Sequence, residues 1–127
     1  MDQPVLDKIT SHEFLDSLLP LEKSDQFFEA LYGDASEGAY DISLTCVSVE
    51  KDKIELAFHL TQRPGKCLVC SLTYGLPTVF SRHPLINIKG MITKIQETGL
   101  EIVNWRLGST REISTTLHVI PLTLNLA

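Results

Sequence analysis

Asp52–Tyr74, DKIELAFHLTQRPGKCLVCSLTY, is the stretch from which the fold is read. Ile54, Leu56, Phe58 and Leu60 alternate with Glu55, Ala57, His59 and Thr61. Leu68, Cys70, Leu72 and Tyr74 alternate in the same way with Cys67, Val69, Ser71 and Thr73. A period of two places each apolar set on one face of a sheet. Arg63-Pro64-Gly65-Lys66 lies between the two runs. Proline pre-sets φ at the second turn position, and glycine accepts the positive φ that a type II turn requires next. The stretch therefore reads as two antiparallel strands joined by a tight turn.

Upstream, the spacing is helical. Thr10 and Glu13 have the separation of a capping box, and Phe14, Leu15, Leu18 and Leu19 follow at helical intervals before Pro20. Ser24 is placed to cap a second helix whose stripe is Phe27, Phe28, Leu31 and Tyr32, with Gly33 at its left-handed stop. From Ala39 the period changes to two. Tyr40, Ile42, Leu44 and Cys46 share one face, and Glu50–Lys53 is a polar hairpin connection.

Downstream, GLPTVFSRHP (75–84) reads as a loop with at most a short edge strand or one helical turn. Leu85–Gln96 reads as a strand, with Ile86, Ile88 and Ile92 in phase and Gly90 marking a bend. Leu100–Leu107 is a strand with Val103, Trp105 and Leu107 in phase. Ile113, Thr115, Leu117 and Val119 alternate up to Pro121, and Leu122, Leu124 and Leu126 alternate after it.

Helices first and strands afterwards define an α+β domain. The architecture expected is an N-terminal helix pair (1–38) packed on a curved antiparallel meander of five to six strands (39–127), cone, hot-dog, helix-grip or barrel-like. A chain of 127 residues is one domain by size and long enough to bury a core without disulfide or metal.

The net charge of −5 argues against a nucleic-acid-coating surface. It is unevenly spread: residues 1–38 carry −7 and residues 39–127 carry +2. The acidic third reads as a solvated helical face, or more sharply as a helix that meets a basic surface. No membrane span and no signal peptide is legible, and an odd count of three cysteines is not a secreted framework. The expectation is a cytoplasmic protein with reduced thiols and no cofactor.

Cys67 and Cys70 have CxxC spacing. On a strand their side chains would point to opposite faces, so the ordinary reading is inert sheet cysteines rather than a redox pair or half a zinc site. Ser81-Arg82-His83 is the best polar cluster: arginine can clamp a carboxylate or phosphate, and histidine can act as a base. No acid stands at a spacing that would orient either His83 or His59. Trp105, in phase with apolar neighbours, reads as core.

These observations point first to a non-catalytic domain that self-associates as a homodimer or docks a protein partner. The ground is apolar residues on both faces of the strands: Val47, Val49, Val69, Met91 and Ile95. The alternative is a binding domain for a small apolar or amphipathic molecule, with Tyr74, Phe80, Arg82 and His83 at the pocket entrance. A hot-dog or cone-type enzyme using His83 or His59 is the weaker alternative.

Overall fold

The computed structural model describes residues 3–20, 22–34, 36, 38–68 and 73–127. Three helices come first: α1 (Gln3–Ile9), α2 (His12–Leu18) and α3 (Glu22–Tyr32). A hairpin follows, β1 (Tyr40–Val49) and β2 (Lys53–Gln62). The chain then makes a 3₁₀ turn (Thr73–Gly75), α4 (Leu76–Arg82) and α5 (Ile88–Gln96). It ends in β3 (Ile102–Leu107), β4 (Arg111–Ser114) and β5 (Leu117–Leu126). The fold is α+β, with helices preceding an open, five-stranded antiparallel sheet.

The strand order is β1-β2-β5-β3, with β4 also paired to β5, so the sheet is not a sequential meander. The expected partner of β2 is where structure and sequence part. The turn forms, with Lys66 N–H on the Arg63 carbonyl (3.1 Å) and Gly65 at φ 75°. Yet Cys67 and Leu68 do not begin a strand, and residues 69–72, which contain Cys70, lie outside the described residues. β5 takes the free edge of β2 instead, in register from Thr61↔Leu117 to Lys53↔Asn125. Its Ile120, Leu122 and Leu124 are fully buried beside Leu56, Phe58 and Leu60.

Leu85–Gln96 also departs from expectation, since Ile88 onward is helical. Ile88, Met91, Ile92 and Ile95 recur at i, i+3, i+4 and i+7, and all four are buried. The gain from burying that stripe exceeds the small helix penalty of β-branched residues. Met91 and Ile95 therefore do not supply a second apolar sheet face. Val47 is the extra residue of a bulge in β1, Val49 lies at the sheet margin, and Val69 lies outside the described residues.

The face of the sheet away from the helices is largely polar. Asp41, Ser43, Thr45 and Ser48 of β1 stand opposite Thr61, His59, Ala57 and Glu55 of β2. One wet face is ordinary for an antiparallel sheet. The outer edge of β1 is covered in part. Ser24, fully buried in α3 rather than capping it, accepts the Ile42 N–H (2.8 Å) and so occupies the hydrogen-bonding positions of an added strand. Arg63 ties the same corner together. Its guanidinium reaches Asp41 (3.1 Å) and Asp25 (2.8 Å) and lies 5.3 Å from the Phe28 ring centre.

Pro121 explains how one strand serves two neighbours. β4 pairs with β5 as far as Val119, and β3 pairs from Leu122. Pro121 lacks an N–H and sits at the changeover, where its carbonyl accepts the Gly108 N–H (2.8 Å). β5 runs unbroken through it, so His118, Ile120, Leu122 and Leu124 share the core face. The set Leu117 and Val119 faces the other way.

Candidate functional site

The site is built where α4 meets α5. Leu76 and Phe80 anchor α4 in the core, and Pro77 occupies its first turn, where a missing N–H costs nothing. Phe80 is fully buried, edge-on to Phe27 (5.7 Å) and Phe58 (5.2 Å). The sequence reading expected it at a pocket entrance; it sits in the core and is not among the residues lining the cleft between α4 and α5. A side chain in the middle of a helix's apolar stripe is drawn into the core by the largest burial available to it. Tyr74 falls in the 3₁₀ turn, and its side chain lies outside what is described.

Arg82 and His83 do come together. They line an open cleft of about 360 Å³ with Ser81, Pro84, Asn87, Ile88 and Lys89. Arg82 and Lys89 are exposed cations, and no carboxylate is among these lining residues. A second hollow of about 180 Å³ shares Pro84 and Asn87 and adds Lys23 and Lys94. The corner is thus cationic on both sides of α5, in a chain of net charge −5.

Two backbone features sharpen this polarity. His83 N–H closes α4 on the Val79 carbonyl (2.9 Å), while His83 Nδ1 accepts the Leu85 N–H (3.2 Å). An Nδ1 that accepts leaves the neutral ring with its proton on Nε2, so the imidazole is a donor there and is poorly arranged as a base. Its ring rests against Phe27 (4.9 Å). Asn87 starts α5 in the left-handed region (φ 49°, ψ 60°), and its side-chain oxygen accepts the Gly90 N–H (3.2 Å). Asparagine tolerates that conformation better than most residues. The first-turn amides of Ile88 and Lys89 have no intrahelical acceptor, and α5 has no acidic residue in that turn.

Other candidates are less able to do chemistry. His59 bonds Thr45 (3.0 Å) on the open face, and partial burial holds its pKa below the ordinary histidine value. Cys46 is free, and burial pushes its thiol pKa up, away from the reactive thiolate. Cys67 is exposed and disulfide-bonded rather than an inert sheet cysteine; Cys70 lies outside the described residues. Among the described residues no cluster of His, Cys, Asp or Glu could hold a metal ion.

His118 is the polar residue that sequence reasoning missed. It is 1% exposed, its Nδ1 lies 2.7 Å from Thr73 Oγ1, and its Nε2 has no hydrogen-bond partner among the described residues. Thr110 Oγ1 donates to the Thr73 carbonyl (2.8 Å) beside it. The signal was its phase with Ile120, Leu122 and Leu124, which the apolar pair Leu117 and Val119 obscured.

No family model matches the chain, and no curated protein and no solved structure matches it.

Proposed function

We propose that the protein is a small non-catalytic docking domain that takes an acidic segment of a protein partner in the α4–α5 cleft. One observation carries the reading: the cleft offers cations and N–H donors, with no carboxylate among its lining residues. Arg82 and Lys89 supply charge, His83 Nε2–H and the first turn of α5 supply donors, and a carboxylate is the complementary group. General acid–base work would need a group that gives and takes a proton, and His83 is committed through Nδ1 to a backbone amide. A cytoplasmic location belongs to the same proposal. Among the described residues no helix is long and apolar enough to cross a membrane.

Self-association is the second reading, favoured by charge. The N-terminal 38 residues carry −7, and Glu13, Asp16, Glu22 and Glu29 are exposed on α2 and α3. The helices of one copy would then meet the cationic corner of another. The polar outer sheet face does not favour a dimer through the sheet.

Fluorescence anisotropy with a labelled Glu-rich peptide tests the first reading. Binding at low salt, with a Kd on the order of 10–1000 μM, should weaken about tenfold in the Arg82→Ala/Lys89→Ala variant, a loss of about 1.4 kcal/mol. A wild-type affinity no greater than that for a neutral peptide sinks it. Sedimentation at low and high salt tests the second: a dimer that dissociates with salt supports it, and a monomer throughout refutes it.

A further inference from the structure

Resting on the docking reading above, we propose that the bound segment crosses α5 and enters both hollows, so that the ligand class is an extended acidic segment with two carboxylates three or four residues apart. The cleft of about 360 Å³ and the hollow of about 180 Å³ share Pro84 and Asn87. Arg82 and Lys89 line the first, and Lys23 and Lys94 line the second. Four of the chain's 11 lysines and arginines thus border two adjoining hollows, and no Asp or Glu is among their described lining residues. In a chain with 16 acids, that local excess reverses the balance of the whole. Among the described residues none of the four makes an ion pair, since the salt bridges there use Lys53 and Arg63. Their charge is left for a ligand.

Asn87 stands between the hollows. Its side-chain oxygen accepts the Gly90 N–H (3.2 Å), so the exposed amide has its Nδ2–H donors to offer. Gly90 makes room for that amide, which a Cβ there would strike. Gly90 and Lys94, four residues apart, share one face of α5, while Lys89 lies about 140° away around the axis. The hollows therefore flank α5 on two sides, separated by roughly the 10 Å width of a helix. An extended chain advances about 3.3 Å per residue, so a segment passing over Asn87 covers that width in three or four residues. Carboxylates at that spacing meet one set of cations each. Adjacent carboxylates reach one hollow only.

The test measures anisotropy at low salt on the full chain, with labelled peptides of one composition and charge. Each carries two glutamates in a Gly/Ser background, either adjacent or three or four residues apart. The spaced peptides should bind about threefold tighter than the adjacent one. Lys23→Ala/Lys94→Ala should abolish that advantage. Lys51→Ala/Lys66→Ala, which removes the same charge elsewhere, should preserve it. Equal affinities at every spacing, or an advantage that survives Lys23→Ala/Lys94→Ala, overturn the two-hollow ligand and leave docking in the single cleft standing. An advantage lost equally in Lys51→Ala/Lys66→Ala also overturns it, since long-range charge then accounts for the effect. Acidic peptides that bind no better than a neutral one overturn the docking reading itself, and the two-hollow ligand with it.

Discussion

Replacing Phe80 with alanine separates a core role from a role at a pocket entrance. The ring is 0% exposed and meets Phe27 and Phe58 edge-on, at interplanar angles of 86° and 75°. Removing a fully buried phenylalanine costs about 3–5 kcal/mol, from lost burial plus the cavity left behind. That includes the edge-on contacts, worth about 0.5–1.5 kcal/mol each. Unfolding entropy near 2.1 cal/mol/K per residue gives roughly 0.27 kcal/mol/K for a domain of this length, so Tm should fall by about 11–19 °C. Such a loss can exhaust the ~5–15 kcal/mol of a typical domain, so Phe80→Leu provides the milder case, at about 1–2 kcal/mol. Urea unfolding followed at the Trp105 fluorescence, with calorimetry, reads both. Phe80→Leu should leave the affinity for an acidic peptide within about twofold, because Phe80 does not line the cleft. A Phe80→Ala protein within about 0.5 kcal/mol of wild type would refute the packing described here, and its ring would then belong to a surface.

Two further predictions concern the site corner and the sheet margin. A Cβ on Gly90 would collide with the Asn87 side-chain amide, which must swing away and give up its bond to the Gly90 N–H. Gly90→Ala should therefore lack the usual helix gain of about 0.5–1 kcal/mol and lie between neutral and about 1 kcal/mol destabilising. In an Asn87→Gly background the same change should stabilise by about 0.5–1 kcal/mol, and urea midpoints across the four proteins check the change of sign. Tyr40 is 3% exposed, and burial, with a smaller contribution from Tyr32, pushes its phenol pKa well above the ordinary value of 10.0. The unfolded chain loses that proton near pH 10 and the folded chain keeps it. Its contribution is present in full below pH 10 and is lost as the pH rises beyond it. Tyr40→Phe should flatten the stability profile between pH 9.5 and 11.5, on the order of the range a titration can cover, and an unchanged slope would refute the assignment.

Much of this was legible in local pattern. The change of period near Ala39, the polar turn at Glu50–Lys53 and the stop at Gly33 (φ 80°) follow from residue spacing and turn chemistry alone. So does the pairing of Arg82 with His83, because neighbours in sequence on one turn are neighbours in space. Other readings failed for a common reason. Leu68–Tyr74 has strand periodicity, and Ile86, Ile88 and Ile92 are compatible with either period when the run is short. Phe80 reads as part of a loop at the mouth of a curved sheet because 75–84 carries a glycine and two prolines, whereas the segment is helical and turns the ring into the core.

The amino-acid order by itself determined the class: helices followed by antiparallel strands, and an acidic front against a more basic remainder. These are properties of spacing and composition, and they act within a few residues. The three-dimensional packing decided which strand lies beside β2, whether Ile88–Gln96 coils or extends, and that Lys89 and the start of α5 join Arg82 and His83 around one cleft. Those outcomes depend on burial compared among segments far apart in the chain. β5 lies beside β2 in place of a local hairpin, with Ile120, Leu122 and Leu124 buried on its core face, and no window on the local sequence contains both competitors.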